Sequence, residues 1–320
     1  MKQASICILA LSLVLGLVVG CEKKEQSPGG ATRKPKIALI MKALNNEFFR
    51  TMEEGAKKHQ AAHSAEYDLL STGISMETEV DKQAALVDQM IAQGVDAIVL
   101  TPADSKQLVL PAKRAIDKGI VVVNIDNKLD EQVAEALKVK IPFVGPDNAK
   151  GAKMVADYLA RHLKKGDKVA LINGVLGTFN AQQREKGFRQ AMEEAGMQIV
   201  VSQTAEWDTA KAEKVVGAIL PGHPDLKAIL CANDLMAEGA VTAVQAAGKG
   251  GQILIIGFDN TTAAQTLIRS GRMLATADQH ADQQAAWGIE YALQILQNKA
   301  TPQDKETVVD LITADTLKAK

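Results

Sequence analysis

The apolar residues of this chain follow two alternating rhythms. Short, nearly unbroken runs lie at 37–41, 67–71, 97–101, 121–125, 169–173, 199–203, 228–232 and 253–258. Their length suits buried strands. Between them, 46–62, 77–93, 106–118, 150–163, 181–195, 209–220 and 235–247 carry the spaced pattern of amphipathic helices. Gly94, Gly119, Gly196 and Gly248 fall just past helix ends, where a left-handed C-cap suits glycine. Strands alternating with helices predict an α/β chain with parallel sheets covered on both faces.

The pattern also repeats. Ile37-Ala38-Leu39-Ile40 returns as Val169-Ala170-Leu171-Ile172, and Gly55 as Gly187, both 132 residues on. Ala97-Ile98-Val99-Leu100 returns as Ala228-Ile229-Leu230-Cys231, and Val123-Asn124-Ile125-Asp126-Asn127 as Ile256-Gly257-Phe258-Asp259-Asn260. Landmarks in order at nearly constant offset predict two similar Rossmann-like lobes, each on an open parallel sheet. Ligands of such sheets bind beyond the carboxyl ends of the strands. The candidates are therefore the polar residues after each strand: Asn45, Asn46, Thr101, Asp104, Asp126, Asn127, Asn233, Asp234, Asp259 and Asn260. Two facing lobes would bring them into one cleft.

The N-terminus reads differently. Behind Lys2 an apolar stretch runs from Ile6 to Val19, short of the roughly 20 residues a transmembrane helix needs. It fits a secretory signal over residues 1–20. Val18-Val19-Gly20-Cys21 resembles a bacterial lipobox, so Cys21 is the expected lipidation site; an uncleaved membrane anchor is the alternative. Residues 21–34, with Ser27-Pro28-Gly29-Gly30, read as a flexible tether. On this reading Cys7 leaves with the signal, and Cys231, in an apolar run, is an inert buried thiol. No Cys/His spacing suggests zinc, so no metal is expected.

Charge and aromatic content narrow the function. The 37 Lys and Arg nearly balance 38 Asp and Glu, whereas a nucleic-acid binder needs a basic face. With 2 Trp, 3 Tyr and 6 Phe, a base-stacking surface is also poorly supplied. Neither G-x-S-x-G, nor a phosphate-binding P-loop, nor a dinucleotide glycine loop is present. The five His are scattered, and His280 alone follows a strand-like run toward the cleft. Asp126 and Asp259 remain a conceivable acid/base pair, as in glycoside hydrolysis. A binding role uses the residues more fully. Asn, Asp, Gln and Arg supply donors and acceptors for hydroxyl groups, and sugar C–H faces pack on aromatic rings. Phe48 and Phe49 follow Asn46, and Trp207 sits in a polar loop after a strand.

These residues carry a resemblance. Leu44-Asn45-Asn46-Glu47-Phe48-Phe49, Thr101-Pro102-Ala103-Asp104, Asn124-Ile125-Asp126, Arg184-Glu185-Lys186-Gly187-Phe188, Ala232-Asn233-Asp234 and Gly257-Phe258-Asp259 resemble the ribose-binding group of periplasmic sugar-binding proteins, from about Pro35 to near the C-terminus. The resemblance implies the type 1 periplasmic binding protein fold. It also implies a clamp that delivers a sugar or polyol to the ABC permease of a membrane, monomeric and without a cofactor. Its implied ligand set is Asn46, Phe48, Phe49, Asp126, Arg184, Trp207, Asn233, Asp259 and Gln279, with Phe48 and Phe49 on one side of the sugar and Trp207 opposite; Asn127, beside Asp126, is the tenth expected ligand residue. Ribose binders carry Arg where this chain has Asn127, which loses a five-donor fork. They carry Phe where it has Trp207, and Gln182 also departs from their pattern. Another pentose, a hexose or a linear polyol is therefore open beside ribose.

The resemblance further implies a three-segment hinge, crossing near Pro146, Gln279 and Val309. One lobe would comprise 35–146 plus 280–309, the other 147–279 plus 310–320. Relatives of this fold include LacI-type repressors, whose DNA-binding helix-turn-helix is replaced here by the signal, and binders of signalling molecules that serve chemoreceptors. The expected location is outside the inner membrane, in the periplasm or on the cell surface, held by lipid on Cys21.

Overall fold

Parallel strands buried on both faces need continuous apolar sequence, and Lys36–Met41 supplies it: five of its six residues are fully enclosed. Ile37, Leu39 and Met41 face one side of the sheet, and Ala38 and Ile40 the other. That is the period-2 alternation of a strand covered by helices on both sides. Burying each such Ile or Leu contributes roughly 1.5–3 kcal/mol.

The computed structural model describes residues 33–318. The expected signal, Cys21 and nearly all of the tether lie outside the described residues. From Lys34 onward the chain is one compact unit holding two six-stranded sheets. The first contains β1 (Lys36–Met41), β2 (Asp68–Gly73), β3 (Ala97–Leu100), β4 (Val121–Ile125), β5 (Phe143–Pro146) and β11 (Lys305–Thr307). The second contains β6 (Lys168–Asn173), β7 (Gln198–Thr204), β8 (Leu226–Cys231), β9 (Leu254–Ile256), β10 (Ala275–Asp278) and β12 (Asp310–Thr313). The orders are β2-β1-β3-β4-β5-β11 and β7-β6-β8-β9-β10-β12. They are the same doubly wound arrangement, strand for strand. The repeat is visible in register: Ile37 pairs with Ala97 and Val169 with Ala228. β12 runs antiparallel to β10, the one place where the second sheet departs from a parallel ladder.

The helices are α1 (Glu47–Ala62), α2 (Val80–Ala92), α3 (Val109–Asp117), α4 (Glu131–Ala136), α5 (Asn148–Ala160), α6 (Phe179–Glu194), α7 (Thr209–Ile219), α8 (Asp234–Ala246), α9 (Thr262–Arg269), α10 (Ala281–Leu296) and α11 (Ala314–Lys318). None is long and apolar enough to cross a membrane. α1 packs on α10, and α5 on α6. The repeated glycines explain how closely they approach. A Cβ on Gly55 would collide with the Asp282 carbonyl of α10, and one on Gly187 with the Ala149 carbonyl of α5.

The chain passes between the sheets three times. After β5 it enters α5, which packs against β9 and β10; after β10 it returns through α10 to β3 and β4; and from β11 it goes directly to β12. The strand-like runs of the sequence all appear as strands within a few residues. β5, β10, β11 and β12 do not stand out there, because none is a continuous apolar run: their sequences, FVGP, ATAD, KET and DLIT, mix in polar residues or Gly and Pro. Their pairing with distant segments, not a hydrophobic run, holds them.

Candidate functional site

The carboxyl ends of both sheets face one small cavity, as the switch-point rule requires. The first lobe contributes Lys42 directly after β1, Asn46, Phe48 and Phe49 at the start of α1, Glu77, and Asp126 after β4. The second contributes Asn180 and Arg184 from α6, Trp207 after β7, Asn233 ahead of α8, Asp259 after β9 and Gln279 after β10. Nine of the ten sequence-derived ligand candidates are thus brought together.

The tenth, Asn127, does not line the cavity. Its Nδ2 donates to the Pro102 carbonyl at 2.9 Å, and its Oδ1 accepts from Ser105 Oγ and from the Asn180 backbone N–H. The strand-end residues Thr101 and Asp104 also have structural tasks. Thr101 Oγ1 accepts the Lys42 N–H, and Asp104 accepts the Lys106 and Gln107 N–H groups. His280 lies at the second crossing, bonded to Asp310, and is not among the cavity residues.

Helix starts place several of the polar groups. Asn46 Oδ1 accepts the Phe48 N–H at 2.9 Å, and Asn233 Oδ1 accepts the Met236 N–H at 3.0 Å. Both act as N-caps, so their Nδ2 groups are left to face the cavity. Phe48 and Phe49 meet edge to face, with centroids 5.1 Å apart. Both line the cavity and both are buried in the core. Two adjacent helical residues point about 100° apart, and one core-facing ring at most would be expected; the cleft closing over α1 covers the other. Trp207 is held at φ 64°, Asp126 at 62° and Asp259 at 122°. Left-handed backbone at non-glycine residues costs energy that surrounding structure must overcome, and it gathers at functional sites.

Each lobe sets one cation against two buried carboxylates. In the first, Lys42 Nζ stands 3.2 Å from Glu77 and 3.4 Å from Asp126. Burial opposes the Lys42 charge, but the two carboxylates outweigh it and hold its pKa above the usual lysine value. Burial raises the pKa of Glu77 against the pull of Lys42. In the second lobe, Arg184 donates to Asn148 Oδ1 at 2.8 Å and to the Ala232 carbonyl at 2.9 Å, lies 3.5 Å from Asp259, and stacks 3.8 Å above the Phe258 ring. Burial pushes the Asp259 carboxyl well above the ordinary range despite Arg184. Burial also lifts Asp234 up to about 6, opposed by bonds from Thr261 and Thr276. Gln279 Nε2 donates to Asp259 Oδ1 at 2.7 Å and is itself held by Gln284.

Among the buried polar atoms around the cavity, Trp207 Nε1 has no partner in the chain, and Glu77 Oε2 and Asp126 Oδ2 have only the Lys42 ammonium, at 3.2 and 3.4 Å. Buried polar atoms are ordinarily satisfied. An unsatisfied indole donor beside carboxylates that can accept further hydrogen bonds calls for a ligand whose groups both give and accept protons. Sequence reasoning had passed over Lys42, Glu77 and Asn180. The strand-end rule points at Lys42, the first residue after β1. Nothing in the local pattern distinguishes Glu77, which a loop delivers. Among the described residues no cluster of His, Cys, Asp and Glu is arranged to hold a metal ion.

Comparison with known proteins agrees with this architecture. The model of the periplasmic binding protein domain matches residues 37–300. The D-ribose/D-allose-binding protein of Pseudomonas aeruginosa is 53% identical over 285 residues, covering 88% of this chain and 89% of that protein. A solute binding protein of an ABC transporter from Burkholderia multivorans superposes with a TM-score of 0.86 at 51% identity, over 88% of this chain and all of that one. A periplasmic solute binding protein from Actinobacillus succinogenes with bound D-allose gives 0.85 at 35% identity, over 90% of this chain and all of that one. These are binding proteins, and the acid/base reading of Asp126 and Asp259 falls away with that. By sequence, by its two matched doubly wound sheets and by the cleft between them, the chain belongs to the periplasmic binding protein family.

Proposed function

We propose that this chain is the lipid-anchored substrate-binding protein of an ABC sugar transporter, with a sugar of the D-ribose or D-allose kind as ligand. The observation that carries this reading is one small cavity where polar groups of both lobes, Asp126 among them, meet the rings of Phe48, Phe49 and Trp207, and where Trp207 Nε1 has no partner in the chain. A sugar hydroxyl donates one proton and accepts through its lone pairs, so the same ligand serves carboxylates and indole alike. Phe48, Phe49 and Trp207 offer apolar walls for its C–H faces. Asn46, Asn180, Arg184, Asn233, Asp259 and Gln279 provide the remaining polar contacts. A fully charged ligand fits poorly, because each lobe already pairs its own cation with carboxylates. The ligands of the two relatives, D-ribose/D-allose and D-allose, support the same class.

Ligand contacts from both lobes exist together only when the cleft is closed, so binding shifts the population toward closure. The protein acts as a monomer, and the permease receives the closed form. The deciding experiment is a thermal-shift panel of pentoses, hexoses and polyols. D-Ribose or D-allose at about 100 times its Kd should stabilise the chain by about 2.7 kcal/mol, because ligand binds only the folded state. Asp126→Ala and Asp259→Ala should each remove the shift while the ligand-free protein still melts cooperatively. A panel without any shift at millimolar sugar rejects the reading; a shift retained in both variants rejects the site. Anchoring has its own test. Cys21→Ala, expressed in cells, should move the protein from the membrane to the soluble fraction, and continued membrane retention would mean that the signal persists as an anchor.

A further inference from the structure

Helix α6 enters the cleft without a cap of its own. Thr178 stands at its N-cap, but its Oγ1 donates to the Val175 carbonyl at 2.7 Å and makes no bond to the helix. By contrast α1, α5, α7 and α8 are each capped by their own preceding side chain, namely Asn46, Asp147, Asp208 and Asn233. The first amides of α6 are met from the opposite lobe. The Phe179 N–H donates to Ser105 Oγ at 2.9 Å, and the Asn180 N–H to Asn127 Oδ1 at 3.2 Å. Ser105 Oγ donates in turn to Asn127 Oδ1 at 3.3 Å, and Asn127 Nδ2 is tied to the Pro102 carbonyl. Ser105, Asn127 and Asn180 are all buried.

We propose that Ser105 and Asn127 are an interlobe latch that caps α6 only when the cleft is closed, setting the closed population without touching the ligand. The proposal rests on the clamp reading above and adds residues outside its binding set. The first amides of a helix have no partner within it. In the open form water meets those of α6; on closure two buried side chains of the other lobe replace it. The same helix carries Asn180 and Arg184 into the cavity, so the latch also positions them. Free energy that belongs to closure is common to every ligand, because apparent affinity scales with the closed fraction. A side chain that touches ligand instead affects different sugars unequally.

Ser105→Ala is the cleaner variant, since the Oγ bonds only to Phe179 and Asn127. Calorimetric titration with D-ribose, D-allose and myo-inositol should show affinity about three- to tenfold weaker, the worth of one hydrogen bond. The factor should be the same for each ligand that the wild type binds. The ligand-free melting temperature should not change. Asn127→Ala should repeat the uniform weakening with a lower melting temperature, because the Pro102 carbonyl also loses its partner. Unequal factors would make these residues ligand contacts, and unchanged affinities would dismiss the latch. Single-molecule energy transfer between dyes on the two lobes supplies a reading that needs no sugar. The closed fraction of the ligand-free Ser105→Ala chain should fall by the same factor, and an unchanged fraction overturns the latch. A wild type that binds none of these ligands refutes the sugar reading alone, since the dye measurement still decides the latch.

Discussion

Arg184→Met should lower the unfolding free energy by about 3–5 kcal/mol at neutral pH, the usual consequence of removing one partner from a buried charge cluster, and should abolish sugar binding. Arg184 is 2% exposed and is the cation nearest Asp259. Methionine fills much of the same space against Phe258 but leaves Asp259 and Asp234 enclosed without it. The pH dependence identifies the cause. Burial already holds both carboxyls above their ordinary values, Asp234 up to about 6; without the guanidinium they rise further. A carboxyl whose folded pKa exceeds its unfolded value of about 3.9 keeps a proton that the unfolded chain releases. Stability is therefore retained below about pH 4 and lost as pH rises through the folded values. Urea unfolding at pH 4.5 and 7.5 should show a deficit that is small in acid and large at neutrality. An equal deficit at both pH values would assign the loss to packing instead of charge.

Gly174→Ala should weaken sugar affinity by about 5- to 150-fold, corresponding to the roughly 1–3 kcal/mol that overpacking costs. Gly174 follows β6, and a Cβ there would overlap the six-membered ring of Trp207. The indole has little freedom to yield, since its backbone is left-handed and the preceding loop is tied by Thr204 Oγ1 to the Gly174 carbonyl at 2.6 Å. The added methyl group must displace the ring from the cavity wall. Trp207→Phe in the same chain should restore part of the loss, because a smaller ring clears the methyl. Calorimetry on the two single variants and the double variant makes the check a thermodynamic cycle. Additive losses would show that the two side chains do not collide.

The sequence displays this fold unevenly. The apolar runs of β1, β3, β6 and β8 are plain because central parallel strands must be hydrophobic on both faces. Gly55 and Gly187 stand out as a pair because each sits where a neighbouring backbone carbonyl leaves no space for a side chain. β5, β10, β11 and β12 are obscure for the opposite reason. They flank the crossings between lobes, break their apolar residues with polar ones or with Gly and Pro, and owe their conformation to partners far along the chain. The site divides similarly. Asp126 and Asp259 are legible because equivalent strands end in the same Asp-Asn pair. Asn127 belongs to that pair but turns into a network with Ser105 and Pro102, a direction that residue order does not encode. Glu77 reaches Lys42 from a loop, and only the folded backbone places it there.

The arrangement of charges has a consequence for signalling. Lys42, Glu77 and Asp126 place three ionisable groups in one jaw of the cleft, and Arg184, Asp234 and Asp259 place three in the other. Closing the jaws strips water from these groups, which is unfavourable until the hydroxyls of a ligand supply hydrogen bonds in its place. Closing on nothing is thereby discouraged by the jaws themselves. A partner that reads only the closed shape would then be reading occupancy, with false reports suppressed by the same carboxylates that hold the cargo.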